Sequence, residues 1–340
     1  MTLPAVASVT LGRQRYDSHA LGLEVQLGLL PSVNRARITL PRAVAPDAAP
    51  GDPAELSLRA VDGSSVVLHG TLHALSAAGA GATEAVLADD GARLAALRPC
   101  RTYQGQDGGT VVRALAEEAG AGIGALELDL PLAAYVAHGR RSAAEHVATL
   151  AKLGGALAGC DEAGRIELRA LPSRAERALR YDREILALRV TRRAAPEVRQ
   201  VMLGNGPAAS PEAPDALLQS RSPLPADAPP PGAQARWLPA PALRSPRAAL
   251  AAGQARDTEA ASRATRVEAR AILLPWLRPG MVLEIQQLPD RLDAAGPWLV
   301  LTVCHARLAG APGETRFTAV SAAAGPSLLA SLASAVGGLL

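Results

Sequence analysis

The chain has 340 residues, 49% of them hydrophobic and only 2% aromatic, with a formal net charge of +3. That length suits roughly two to three domains, and three Trp, four Tyr and one Phe leave little for the stacking platforms of sugar clefts or single-strand nucleic-acid grooves. The positive charge is nearly all Arg, interspersed with Asp and Glu and never in a block of five or six, so no nucleic-acid arm is marked.

The opening "MTLPAVASVTLGRQR" lacks the basic start and long apolar core of a signal peptide. Residues 1 to about 95 read as β. In "AELSLRAV", Leu56, Leu58 and Ala60 alternate with polar positions. The turn at Asp62-Gly63 then leads into "SSVVLHGTLHAL", a hairpin signal. "TEAVLADD" is a further short strand, and short strands at turn-length spacing suggest a small barrel or sandwich. Asp89-Asp90, just before Gly91, reads as a solvated turn.

From about 96 to 175 the pattern becomes mixed α and β. "YQGQDGGTVVRALAEEAG" places Gly105, Gly108 and Gly109 ahead of a helical pattern, the arrangement that can hold phosphate. The P-loop pattern fails, because Thr110 follows Gly109 directly and the chain's single Lys is Lys152. The dinucleotide glycine spacing fails too. The stretch reads as a helix start, with Asp107 or Thr110 accepting from the free N–H groups of the first turn. Val111, Val112, Leu115 and Ala119 form its buried stripe. In "RRSAAEHVATLAKLGG", Ser142 and Glu145 form a capping box, Val147, Leu150 and Leu153 share a face, and Gly154-Gly155 ends the helix. "ALAGCDEAGRIELRAL" reads as a hairpin turning near Asp161 to Gly164.

Strands return at "EILALRVTRR" and "EVRQVMLGNG". Residues 206 to 246, with "APPPG", read as a surface loop or linker. The next helix is expected to be capped by Ser245 with Pro246 in first position. Strands resume at "RVEARAILL", "GMVLEIQQL", "GPWLVLTVCHARL" and "ETRFTAVSA". No stretch approaches the ~20 apolar residues of a membrane span. The order β, then α/β, then β suggests two related barrels flanking an insert.

No side chains assemble into a recognisable reaction centre. His69 and His73 lie four apart on a strand, which sets them at about 13 Å on one face. His138 and His146 bracket a helix start. Cys304 and His305 are adjacent on a strand and so face opposite sides. Cys100, Cys160 and Cys304 are far apart with no C-x-x-C pair, and are expected to be buried free thiols rather than zinc ligands or disulfides. No catalytic, cofactor-binding or metal-binding residue is assigned.

The ordered set of segments carries a resemblance. "LRPCRTYQGQDGGTVVRALAEEAG", "YVAHGRRSAAEHVATLAKLGGALAGCDEAGRIEL", "RATRVEARAILLPWLRPGMVLEIQQL" and "GPWLVLTVCHARL" resemble successive units of phage tail baseplate hubs of the late-control D type and of the hub part of type VI secretion spike proteins. The resemblance covers most of residues 1 to 322, most closely 98 to 170 and 258 to 320. It implies an α+β, mostly β fold: a first tail-tube-like β-barrel over 1–95, an α/β insert over 96–178, and a second β-barrel from 179–205 and 265–322. A Pro-rich loop plus helix would fill 206–264 and an apolar tail 323–340. It further implies a homotrimeric hub that joins a sixfold tail tube to a threefold spike. The spike, the tube protein and other baseplate proteins would be separate partners. No cofactor, no specific nucleic acid and no stable membrane insertion are expected. The chain would be made in the bacterial cytoplasm and assembled into a phage tail or injection particle. In the tail, Leu328, Leu329, Leu332, Val336 and Leu339 fall on one helical stripe. They are expected to meet the spike or a neighbouring hub copy, or to fold back on the chain's own barrel. The competing readings are a tail protein with a cryptic hydrolase or adhesin role and an unrelated β-rich soluble enzyme.

Overall fold

A computed structural model of the chain describes residues 6–17, 19–60, 63–77, 81–172, 174–193, 199–203, 235–240, 242–243, 246–289, 292 and 296–322. The first β region comprises β1 (Val6–Leu11), β2 (Gln14–Asp17), β3 (Gly22–Gly28), β4 (Arg35–Leu40), β5 (Pro53–Ala60), β6 (Gly63–Ala77) and β7 (Thr83–Ala88). The insert follows as α1 (Gly91–Ala96), β8 (Arg101–Asp107), α2 (Gly108–Ala119), β9 (Ile123–Leu126), β10 (Pro131–Ala137), α3 (Ala143–Leu153), β11 (Ala156–Cys160) and β12 (Ile166–Ala170). The remainder holds β13 (Arg177–Arg180), β14 (Ile185–Arg192), β15 (Arg199–Leu203), β16 (Ala235–Pro239), α4 (Pro246–Ser262), β17 (Thr265–Ile272), β18 (Val282–Gln286), β19 (Pro297–Leu308) and β20 (Glu314–Ser321).

Period-two alternation sets the strands. In β4, Ala36, Ile38 and Leu40 are buried while Arg35 and Arg37 face water. β5 buries Ala54, Leu56 and Leu58 on one side. β17 likewise buries Val267, Ala269 and Ala271 and turns Arg266 and Arg270 outward. Such a strand is stable only when its apolar face is covered, each fully buried Val or Leu contributing about 1.5–3 kcal/mol.

The two β regions are one sheet. It has 13 strands, ordered β14-β17-β20-β19-β3-β4-β7-β6-β5-β1-β2, with β18 attached to β19 and β13 to β18. The join is the antiparallel pair β19–β3, running from Thr302 opposite Gly28 to Leu308 opposite Gly22. All pairs in this sheet are antiparallel except β13–β18. The core is shared as well: Val25, Ile38, Leu56 and Leu87 belong to the same cluster as Val267, Val303 and Phe317. The fold is thus mostly β and antiparallel, with strands separated by more than 270 positions made neighbours through their apolar faces.

Several local expectations need correction. The span 1–95 ends in a helix, α1, rather than in strands alone. β15 does not join the large sheet. It pairs in parallel with β16 in a separate two-stranded sheet, and β16 lies within the stretch read as loop. The Pro and Ala composition around it hides that strand, because its partner among the described residues, β15, is a distant segment. Helix α4 begins at Pro246, while Ser245 falls outside the described residues, as do residues 204–234 and 323–340.

The insert has its own core. The buried faces of α2 (Val111, Val112, Leu115) and α3 (Val147, Leu150, Leu153) pack with Ile166 and Leu168 of β12. β11 and β12 form a hairpin from Ala156 opposite Ala170 to Cys160 opposite Ile166, and β9 adds in parallel. β8 and β10 pair separately. Among the described residues no helix is long and apolar enough to cross a membrane.

Candidate functional site

In the glycine turn before α2 the Gly108 and Thr110 N–H groups are already engaged. The Gly108 N–H donates to the Leu130 carbonyl at 2.8 Å. Asp107 is the N-cap, its Oδ1 accepting from the Thr110 N–H at 2.9 Å, and its Oδ2 accepts from the Thr110 hydroxyl. The Thr110 bonds hold the Asp107 carboxyl below its usual range. A Cβ at Gly108 would lie 2.7 Å from Leu128 Cδ2, so this glycine lets the helix start sit against the β9–β10 connection. At the start of α3, Ser142 Oγ accepts from the Glu145 N–H at 3.3 Å and the Ser142 N–H donates to Glu145 Oε2 at 2.7 Å. The Ser142 N–H and the Ser142 hydroxyl, both donating to Glu145 Oε2, lower the Glu145 pKa.

Two insert side chains and a backbone carbonyl form a polar lock. Tyr135 Oη lies 2.8 Å from His146 Nδ1, and His146 Nε2 lies 3.1 Å from the His138 carbonyl. A carbonyl only accepts, so Nε2 carries the proton and the Tyr135 hydroxyl donates to Nδ1. Burial lowers the His146 pKa and raises that of Tyr135. The lock ties β10 to α3 and presents no free nucleophile. Lys152 reaches Glu259 Oε1 at 3.5 Å, linking α3 to α4.

The seam between sheet and insert buries a carboxyl group. Asp89, expected in a solvated turn, is buried with only 4% of its surface exposed. Its Oδ2 accepts from Asn34 Nδ2 at 2.6 Å and its Oδ1 from the Gly91 N–H at 3.0 Å, and the Cys160 thiol is a further hydrogen-bond partner. Asn34 Oδ1 in turn accepts from the Gly28 N–H at 2.7 Å. Burial pushes the Asp89 carboxyl up to about 6 against these donors, and pushes the Cys160 thiol up as well. Asp90 faces the insert, its Oδ2 accepting from the Gly122 N–H at 2.7 Å and its N–H donating to the Gly164 carbonyl at 3.2 Å. Asp89 thus ties the Asn34 segment to β11, and Asp90 ties the start of α1 to Gly122 and Gly164. Two Asp before Gly have the local sequence of a solvated turn, and it is the covering β11–β12 hairpin that takes Asp89 out of water.

Beside Asp89 a crevice of about 280 Å³ separates the β11–β12 hairpin from the sheet. Arg278 crosses it, its Nη2 donating to the Val66 carbonyl at 2.6 Å and its Nε lying 3.7 Å from Glu162 Oε1. Arg169 Nη2 donates to the Pro279 carbonyl at 3.0 Å. Arg177 stacks over Trp276 at 4.5 Å. The cations and acids here brace one another across the crevice.

The outward face of the large sheet is the other extended surface. Glu24, Arg37, Glu84, Glu268, Arg270 and Arg316 stand on it, with Arg37–Glu84 at 3.4 Å and Arg316–Glu314 as ion pairs. Cys304 is on this face, whereas His305 is fully buried on the other, its Nδ1 2.9 Å from Thr315 Oγ1. The thiols are less buried than expected: Cys100 is exposed, and Cys160 and Cys304 are intermediate. His69 and His73 are exposed on β6. Among the described residues no three His, Cys, Asp or Glu side chains are grouped to hold a metal ion. The stripe of Leu328, Leu329, Leu332, Val336 and Leu339 lies outside the described residues.

These features define a structural class before any particular relative: a long curled antiparallel sheet with an α/β insert braced against it. That fold is shared with solved phage tail proteins. A tail protein from Neisseria meningitidis MC58 superposes with a TM-score of 0.70 over 94% of this chain and 97% of its own, at 11% identity. The 43 kDa tail protein of prophage MuSo2 from Shewanella oneidensis gives 0.66 over 93% and 98%, at 10% identity. An E. coli component of the type VI secretion system, described as structurally similar to the T4 bacteriophage tail proteins gp27 and gp5, gives 0.60 over 91% and 76%, at 15% identity. No protein-family model and no curated protein matches the chain by sequence.

Proposed function

We propose that the chain is a structural baseplate hub of a contractile phage tail or phage-like injection particle, joining a sixfold tail tube to a threefold central spike as a homotrimer. The observation that carries this reading is the likeness to tail proteins over nearly the full length of both chains, 94% and 97% for the Neisseria protein. Sheet and insert are therefore matched together, not one common module. The role is architectural rather than catalytic: the polar clusters of the seam and insert are engaged in bracing the fold. The expected layout of two barrel-like units, 1–95 and 179–205 with 265–322, supplies two similar units per chain, so three chains present six to a tube. Tube protein, a separate trimeric spike and other baseplate proteins are the partners. Leu328, Leu329, Leu332, Val336 and Leu339 are proposed to meet the spike or the neighbouring hub copy. Light scattering of the purified chain, alone and mixed with a candidate trimeric spike protein, tests this. Three copies per particle are expected, and a stable dimer or six copies per ring would refute it.

A further inference from the structure

We propose that a groove on the outward face of the large sheet binds an acidic segment of another protein, held by Arg270 and Arg316. The groove, of about 660 Å³, crosses the neighbouring strands β14, β17, β20, β19 and β3. Strand register sets its floor. Arg270 of β17 stands directly opposite Arg316 of β20, Arg316 opposite Cys304 of β19, and Cys304 opposite Gln26 of β3. The next row on the same face has Glu268 opposite Thr318, Thr318 opposite Thr302, and Thr302 opposite Gly28. Two guanidinium groups are thus placed side by side above small side chains. Like charges directly opposite each other on antiparallel strands are destabilising, so the pair calls for a counter-charge. The face supplies it only in part. Glu314 takes Arg316, but Glu268 takes Arg266 at 3.2 Å, and Glu24 accepts from Gln26 at 2.8 Å. Arg270 is exposed, and among the described residues none accepts a hydrogen bond from it or pairs with it. The described lining of the groove holds Arg189, Arg270 and Arg316 against a single acid, Glu268.

Shape and lining select the kind of anion. The groove is an open trough, whereas small-molecule sites enclose most of their ligand. Single-stranded nucleic acid needs rings on which bases stack, and the one aromatic side chain of the described lining, Phe317, is only 2% exposed. A segment of protein chain lying along the trough meets both conditions. Its Asp or Glu carboxylates take the guanidinium forks bidentately, and its apolar side chains rest on half-buried Val33 and Leu188. Arg clusters are a recurrent means of reading acidic segments. That the segment belongs to another protein of the same particle rests on the hub reading above; the groove and its charge do not.

The test is fluorescence anisotropy of the full chain with a labelled peptide of alternating Glu and Ala, and with alternating Gln and Ala as the neutral control. The Glu peptide should bind saturably and about tenfold tighter than the Gln peptide, with the difference shrinking as salt is raised. The double variant Arg270→Gln/Arg316→Gln should bring the Glu peptide down to the Gln level. A second double variant of the same net charge, Arg13→Gln/Arg59→Gln, removes exposed cations outside the groove and should bind as the parent does. Arg270→Gln alone should raise the unfolding midpoint of the free chain, because it removes the opposed like charge. Equal binding of the two peptides, or equal loss in the two double variants, would overturn the proposal. Displacement by inorganic phosphate or by oligo-dT at lower concentration than by unlabelled Glu peptide would overturn it too, making the groove a small-anion or nucleic-acid site. A trimer that does not bind the Glu peptide removes the groove and leaves the hub reading intact. A chain that binds it through Arg270 and Arg316 yet stays monomeric with a spike does the reverse.

Discussion

Asp89 offers the sharpest perturbation, because its burial sets a sign as well as a size. Its carboxyl is raised from 3.8 to about 6, chiefly by burial, despite accepting from Asn34, Gly91 and Cys160. A difference of about two pKa units corresponds to roughly 3 kcal/mol. Because the folded pKa is the higher one, the folded state holds the proton more tightly. The contribution is therefore fully present below the unfolded value near 4 and is lost as pH rises through about 6. Asp89→Asn removes the titration and leaves the site neutral at every pH, at the cost of one hydrogen-bond acceptor. Urea unfolding of parent and variant from about pH 4 to pH 7.5 should show the parent's advantage shrinking by roughly 3 kcal/mol across that range. His305, whose pKa burial lowers to about 3, works in the opposite direction and destabilises the fold as pH falls. It is common to both proteins and cancels in the difference. A flat difference, or one that grows toward neutral pH, would falsify the argument and mean that the three donors hold Asp89 ionised in its buried site.

Two further outcomes test the local architecture. Ser142→Ala should lower stability by about 1 kcal/mol through the unsatisfied Glu145 N–H, measured as a lower unfolding midpoint with self-association unchanged. Gly164→Ala should be far more damaging than Gly105→Ala. Both glycines have left-handed backbones, but a Cβ at Gly164 would lie 2.2 Å from the His69 carbonyl oxygen, while nothing lies within 4 Å at Gly105. Gly105→Ala should cost the ~1–2 kcal/mol of the left-handed conformation alone. Gly164→Ala should add loss of hydrogen-exchange protection in the β11–β12 hairpin, and equal effects for the two variants would refute the packing argument.

Where local chemistry decides a structure, the residues themselves were sufficient. Alternation in "AELSLRAV" marks β5 because its period of two matches the pleat whatever the partner strand is. The Ser142 and Glu145 spacing marks the start of α3 because cap and donor lie within one turn. The glycine stretch at 105–109 matches no phosphate pattern because it lacks the Lys of a P-loop and the glycine spacing of a dinucleotide turn, both readable in the sequence. The ordering of such segments also carried the likeness to phage tail proteins.

Other features depend on which distant segments meet. β16 was illegible because its pairing with β15 joins residues more than 30 positions apart and its own composition is that of a loop. Asp89 and Asp90 have the sequence of a solvated turn, and only the docking of the β11–β12 hairpin removes Asp89 from water and raises its pKa. The join between β3 and β19 lies in neither strand's pattern. Each strand specifies an apolar face and a polar face by itself, but strand alternation says nothing about the lateral neighbour, whose identity is set by backbone hydrogen bonding once the shared core has formed.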